Sequence, residues 1–294
     1  MMLKNQGFEY GVQHFYSPRS GLLFEIISEV CHLSKEDAQF LIELGSVYLN
    51  GSRCIKNIDI ENQSYLRVHT KPRRFQIDLN LQRDLLFENE NFVVIHKPSA
   101  APSHASVDNR LENVHAHLEK ALSQKLFVTT RLDVPTEGVL LYAKNQNFLR
   151  EFNFIVSEKK MQKHYEAGVN SEAFKKFNLH QQWPQKLIHY MEVSPRAPKV
   201  VREKKLHDSD QICELSLLEH STTNELTVLK IDLQTGRTHQ IRAQLASLGI
   251  PILNDFLYGG EKIEARERIF LTATEMRFQT NSGTSYEFKT TRRW

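Results

Sequence analysis

Five short apolar runs, Phe92–His96, Gly138–Ala143, Tyr165–Val169, Leu215–Leu218 and Leu226–Leu233, follow one another along the chain with few helical patterns between them. Runs of this length read as buried strands, and a chain that carries several of them must bury them together. From Phe75 onward the expectation is therefore an α+β domain built on a large sheet. The stretch from Ser171 to Asp210 is polar and irregular and is the least legible part of the chain.

The preceding residues carry a different pattern. Leu22 to Val30 is helical in its spacing, and a second helix begins at Ser34, whose hydroxyl can cap it with Asp37 completing a box-like start. Ala38, Leu41 and Ile42 then form one apolar stripe, and Gly45 stands where a left-handed terminal residue is needed. Val47–Leu49 runs into Asn50-Gly51, a strong two-residue hairpin signal, and Tyr65 to His69 reads as a further strand. The basic, proline-containing Lys71-Pro72-Arg73-Arg74 reads as a linker. The expected organisation is an N-terminal extension at 1–20, a compact module at 21–72 and a larger domain at 73–294, a division for which 294 residues suffice.

Charge decides little, because the net value is only +3. Cations do gather at Lys159, Lys160 and Lys163 and again at Arg196, Lys199, Arg202, Lys204 and Lys205, where they could track phosphates or simply form solvated faces. The three cysteines, Cys31, Cys54 and Cys213, are scattered and form no C-x-x-C pair, which argues against a disulfide framework and a thiolate metal site and fits a reducing compartment. No stretch approaches the roughly 18 apolar residues of a membrane helix, and Met1 to Gly21 lacks the apolar core of a secretory signal, so a cytoplasmic protein with no membrane partner is expected.

Two segments carry the chemistry. In "TTRLDVPTEGVLLYAKN", Thr129 to Asn145, Arg131 and Asp133 sit in a proline-containing turn directly before a buried strand. Asp133 is either a carboxylate held on a rigid edge or an ordinary turn residue that accepts backbone N–H bonds. In "IDLQTGRTHQIRAQLASLGIPILNDFLYGG", Ile231 to Gly260, a strand should end at Gly236 and a helix start at Thr238, with Gly249 as its stop and Pro251 as the exit. Arg237, His239 and Gln240 would crowd its first turn, where free N–H groups attract an anion. Arg242, one turn in, could reach a buried carboxylate with both arms of its guanidinium.

These segments resemble the signatures of the RluA-type pseudouridine synthases, through Arg131-Leu132-Asp133, Thr136, Gly138 and Thr235 to Arg242. The likeness continues through "FENENFVVIHKPSAAPSH" (Phe87 to His104), "KHYEAGV" (Lys163 to Val169), "PILNDFLYG" (Pro251 to Gly259) and "FLTA" (Phe270 to Ala273), and so spans roughly residues 85 to 275. Ser34 to Val68 in turn resembles the S4 RNA-binding domain. The resemblance implies a large mixed, mainly antiparallel sheet with flanking helices, an added small S4-like α/β module, and isomerisation of a uridine in ribosomal or transfer RNA by a monomer that needs no cofactor, nucleotide or metal. It implies Asp133 as the catalytic carboxylate, Arg242 as its partner, and Tyr165 stacked on the base. The remaining substrate-binding positions it implies are Arg131, Thr136, Gly138, Lys163, Arg237, Thr238, His239, Gln240 and Leu271. Lys97 and His104 would support the site or touch phosphate. Thr130, Glu137 and Thr272 depart from the family pattern and are expected around the cleft, and Asn254 implies a local loop difference.

Other chemistries lack their residues. His115-x-His117 places two rings on different sides of a helix, and no phosphate-binding glycine loop or nucleophile elbow is present. The alternative from another class is a non-catalytic RNA-binding or RNA-chaperone protein that keeps the fold. A base hydrolase releasing uracil would use the same residues.

Overall fold

The computed structural model describes residues 11–178, 182–223, 225–263 and 267–294. The chain divides into two compact units, one of Met1–Ile77 with His104–Leu122, the other of Asp78–Ser103 with Ser123–Trp294.

The first unit begins with β1 (Val12–Tyr16) and β2 (Gly21–Leu22), continues through α1 (Leu23–Cys31) and α2 (Lys35–Leu44), and then forms β3 (Val47–Leu49), β4 (Ser52–Cys54), β5 (Asp59–Ile60) and β6 (Tyr65–His69). Its local signals act as their chemistry dictates. The Ser34 hydroxyl accepts the Asp37 N–H at 3.0 Å, and α2 stops at Gly45 with φ 77°. Asn50 and Gly51 are both left-handed, at φ 48° and 84°, which matches the twist of the flanking strands and sets Leu49 opposite Ser52. The sheet runs β1-β6-β3-β4, so Val12–Tyr16, from the residues expected as an extension, supplies an edge strand. Leu23, Ile26 and Ile27 of α1 pack with Ala38, Leu41 and Ile42 of α2 over Leu66 and Val68.

Beyond β6 the chain forms α3 (Leu81–Asp84), β7 (Leu85–Glu88) and β8 (Phe92–Lys97), and then α4 (Val114–Leu122), whose residues belong to the first unit. The second unit resumes with β9 (Phe127–Val128), β10 (Glu137–Ala143), α5 (Gln146–Ser157), β11 (Gln162–Asn170), α6 (Ser171–Asn178), β12 (Gln185–Met191), β13 (Val201–Arg202), β14 (Gln211–Thr222) and β15 (Leu226–Leu233). It closes with α7 (Gln240–Ser247), β16 (Leu271–Gln279) and β17 (Ser285–Lys289).

One mixed sheet carries the second unit, in the order β13-β12-β14-β15-β11-β16-β10-β8-β7, with β9 beside β10 and β17 beside β16. Its pairs are antiparallel except β10 with β16, where Glu137 lies opposite Thr272 and Gly138 opposite Ala273. That pairing requires glycine: Gly138 has φ 117°, and a Cβ there would stand 2.2 Å from the Ala273 carbonyl oxygen. Every residue of β8 and β10 is buried, which explains why these strands read as continuous apolar runs instead of alternating. On one core, Phe92, Leu141, Phe148 and Phe152 pack β8 and β10 against α5; on the other, Ala167, Leu229, Ile231 and Leu245 pack β11 and β15 against α7.

Three sequence expectations are corrected here. The strand expected to end at Gly236 ends at Leu233, and the helix expected from Thr238 starts at Gln240, because His239 takes a left-handed conformation (φ 58°) that no helix continues through. The stretch from Ser171 to Asp210 is not irregular throughout: it holds α6, β12 and β13, while residues 179–181 lie outside the described ones. Among the described residues no helix is long and apolar enough to cross a membrane.

Candidate active site

The loop 129–136 enters β10 and is gripped from behind by the segment that leaves β8. Lys97, fully buried, donates to the carbonyls of Pro98, Ala101 and Val134 at 2.8, 2.7 and 3.1 Å. Ser99 donates to the Pro135 carbonyl at 2.7 Å. Ser103 donates to the Leu132 carbonyl at 2.8 Å and accepts the Leu132 N–H at 3.1 Å. Thr136 N–H closes the turn on the Asp133 carbonyl at 3.1 Å. Burial pulls the Lys97 ammonium down to about 7, yet three carbonyl acceptors use all three N–H bonds of its charged form. Lys97 is thus a support of the loop, and it is not among the residues lining the Asp133 cleft. No sequence rule marks Ser99 and Ser103, since a serine bonding a distant carbonyl leaves no local signature.

Asp133 projects from this loop toward the start of α7. Arg242, buried in the helix, places Nη1 3.4 Å from Asp133 Oδ2. Its two-armed partner is another acid: Nε and Nη2 bond Asp255 Oδ2 and Oδ1 at 2.7 and 2.8 Å. Burial works against the Arg242 charge, but Asp255 and Asp133 outweigh it and raise its pKa. The guanidinium also lies over the Tyr258 ring, 5.1 Å from its centre. The Tyr258 hydroxyl accepts the Lys199 N–H at 2.7 Å and lies 3.1 Å from His239 Nδ1, whose other ring nitrogen, Nε2, is 4.0 Å from Asp133 Oδ2. Asp255 and Tyr258 went unnoticed as site residues in the sequence; the available signal was the acid and aromatic of "NDFLYG".

Asp133, Tyr165 of β11, Leu271 at the head of β16 and Arg242 of α7 line one cleft of about 520 Å³, together with Arg131 and His239. Thr136, Lys163, Arg237 and Gln240 also reach it. Gly138 and Thr238 do not line it: Gly138 stands at the strand junction, and Thr238 is exposed. The first turn of α7 is more occupied than the sequence suggested. Gln240 accepts from the Arg237 N–H and the Thr235 hydroxyl at 3.0 and 2.8 Å and donates to the Glu214 carbonyl at 3.1 Å. Its amide therefore fixes the turn that carries Arg237.

Tyr165 is 6% exposed, and burial together with the Asp133 charge raises its pKa, so its hydroxyl keeps its proton. Burial lowers the Lys163 ammonium to about 8. Of the three departures from the family pattern, Thr130 lines the cleft, whereas Glu137 and Thr272 are buried behind it and bonded to each other at 3.0 Å. Asn254 adopts φ 62°, a conformation asparagine tolerates, and its side chain ties the loop to the Arg268 carbonyl and the Ile263 N–H at 3.0 and 2.6 Å. Among the described residues no group of three or more His, Cys, Asp or Glu side chains is placed to hold a metal ion.

The profile of the RNA pseudouridylate synthase family matches residues 91–247. The chain is 29% identical over 227 residues to the chloroplastic RNA pseudouridine synthase 6 of Oryza sativa subsp. japonica, covering 69% of this chain and 46% of that one. It is 28% identical over 243 residues to the ribosomal large subunit pseudouridine synthase C of Buchnera aphidicola, covering 76% and 72% of the two chains. The chain spans about half the length of the chloroplast relatives it matches. The solved structure of human RNA pseudouridylate synthase domain containing 1 shares the fold, with a TM-score of 0.56 at 20% identity over 74% of this chain and 86% of that one. With the matched span running from β8 through the Asp133 loop to α7, which between them carry the carboxylate and the guanidinium of the cleft, the chain belongs to the RNA pseudouridylate synthase family.

Proposed function

We propose that the chain is an RNA pseudouridine synthase that isomerises a uridine in structured RNA, cleaving the C1′–N1 bond and forming C1′–C5, with Asp133 as the catalytic carboxylate. The observation that carries this reading is the convergence of Asp133, Arg242, Tyr165 and Leu271 on one cleft. A carboxylate acting as nucleophile, or stabilising positive charge at C1′, must be held in place, and the Arg242 guanidinium lies 3.4 Å from its Oδ2. Tyr165 and Leu271 supply the flat and apolar walls that hold a uracil while it turns. Because the Tyr165 hydroxyl keeps its proton, a relay through it passes that proton on as it takes up the one from C5. A uridine stacked in folded RNA does not reach such a cleft, so the nucleotide is flipped out; Arg131, exposed beside Asp133, occupies the space it leaves or binds its phosphate.

The isomerisation moves no electrons to or from the substrate and needs no group donor, so the reading needs no metal or nucleotide cofactor; a monomer acting in the cytosol is a separate part of the same proposal. The first unit, a helix pair followed by a hairpin sheet, is read as an S4-like module that adds RNA affinity. Ribosomal RNA is the first substrate to test, because a relative is named for the large ribosomal subunit. Release of tritium from C5-labelled uracil in ribosomal and transfer RNA fractions tests the reading. Wild type releases tritium, and folded Asp133→Asn binds RNA without releasing it. Binding without release by the wild type replaces this reading with a non-catalytic RNA-binding protein, and free uracil in the products replaces it with a hydrolase.

A further inference from the structure

We infer that Tyr258 fixes the tautomer of His239, so that an Nε2–H bond and not a lone pair faces Asp133; Tyr258 is then a positioning residue and His239 a hydrogen-bond donor of the cleft. The inference rests on the reading of Asp133 as the reactive group. It starts from a count of protons. The Tyr258 oxygen already accepts the backbone N–H of Lys199 at 2.7 Å, and its own proton needs an acceptor. His239 Nδ1, at 3.1 Å, is that acceptor. If Nδ1 carried a proton and donated instead, the half-buried phenol would turn its own proton out to solvent and Nε2 would present its lone pair to Asp133. With Nδ1 as the lone-pair nitrogen, the neutral ring carries its proton on Nε2, 4.0 Å from Asp133 Oδ2.

Electrostatics agrees independently, since a lone pair aimed at a carboxylate is repelled and an N–H is attracted. Burial, the largest influence, lowers the His239 pKa and favours the neutral ring, for which the choice of tautomer exists. The geometry is stiff. His239 is held at φ 58° at the start of α7, and its ring meets that of Tyr258 edge to face, 5.8 Å between centres at 78°. The same phenol lies under the Arg242 guanidinium, so one side chain sets both of the groups that touch Asp133 from α7. Lys199, one of the clustered cations of the sequence, enters through its backbone: its N–H ties the segment between β12 and β13 to the Tyr258 hydroxyl.

The test reads the tautomer in the RNA-free full chain. Multiple-bond proton–nitrogen spectra of protein carrying ¹⁵N-histidine, with the His239 signal assigned by its loss in His239→Gln, are expected to show Nε2–H at neutral pH. In Tyr258→Phe, which keeps the ring beneath Arg242, the signal is expected to shift toward a mixture of tautomers. Turnover of Tyr258→Phe should fall in kcat by about tenfold with KM little changed, as for other partners that orient a histidine. His239→Gln, whose amide nitrogen reaches close to the place of Nε2, should retain more activity than His239→Ala. An Nδ1–H ring in the wild type, an unmoved signal in Tyr258→Phe, or an unchanged kcat overturns the inference. Because the spectra need no substrate, a wild type inactive on every RNA would sink the functional reading and leave the tautomer assignment to stand or fall by itself.

Discussion

Replacing Asp255 with asparagine isolates the buried charge on Arg242. Asp255 is 1% exposed and takes two of the guanidinium nitrogens at 2.7 and 2.8 Å, while Asp133 takes the third at 3.4 Å. Removing one partner of a buried ion pair costs about 3–5 kcal/mol, because the remaining charge stays desolvated. Asparagine keeps one carbonyl acceptor, and Asp133 keeps part of the charge balanced, so the low end applies, about 3 kcal/mol. For a unit of this size that lowers the melting temperature by roughly 6–12 °C. Urea unfolding of the full chain measures the loss. The decisive comparison adds Arg242→Met to Asp255→Asn: the double variant removes the unbalanced charge and should be more stable than Asp255→Asn alone, although it restores no turnover. A loss under about 1 kcal/mol in the single variant, or a double variant less stable than the single, would refute the claim that Asp255 is the counter-charge holding Arg242 in place.

Gly138→Ala should fail to give a folded second unit, since the new methyl would stand 2.2 Å from the Ala273 oxygen in a backbone already at φ 117°; soluble protein with a native melting curve would contradict this. His96 is buried, and burial followed by the Arg293 charge lowers its pKa to about 4, so the unfolded chain takes up a proton near pH 6.5 while the folded one does not. Its contribution to stability is present above pH 6.5 and lost as the pH falls toward 4; between pH 7 and 5 the loss should be smaller by roughly 2 kcal/mol in His96→Asn than in the wild type. Arg131→Ala, exposed beside Asp133 and proposed to bind the flipped nucleotide's phosphate, should weaken RNA binding and reduce the salt dependence of the affinity by about one ion, whereas an unchanged slope would remove that contact.

What the residues announced in advance follows the range of the forces that place them. Ser34 with Asp37, Gly45 and Asn50-Gly51 act within a few residues, and each does in the structure what its local chemistry dictates. The fully buried strands were equally legible, since β10 has no solvent face to interrupt its apolar run. β12 escaped notice because its inward residues are Leu187, His189 and Met191, and the buried imidazole, bonded to Gln244 at 2.9 Å, breaks the alternation. The start of α7 was misplaced because a histidine in the left-handed region carries no sequence mark. Within the site, motif positions pointed to Asp133, Tyr165 and Arg242, but the second carboxylate on Arg242 and the tyrosine beneath it come from a segment 13 and 16 residues further on, fixed by packing that no local rule describes. Glu137 and Thr272 were expected around the cleft and are instead a buried pair, a distinction that depends on which way a strand faces.

The grip on the loop 129–136 falls on the carbonyl oxygens of Leu132, Val134 and Pro135, and those atoms are present whatever side chains the loop displays. The placement of Asp133 is thereby uncoupled from the identity of its neighbours. Thr130 and Arg131 line the cleft, and neither of their side chains takes part in that grip. The backbone grip leaves the side chains of the loop to be varied without moving the carboxylate, so the position of Asp133 and the shape of the cleft around it are set by separate contacts.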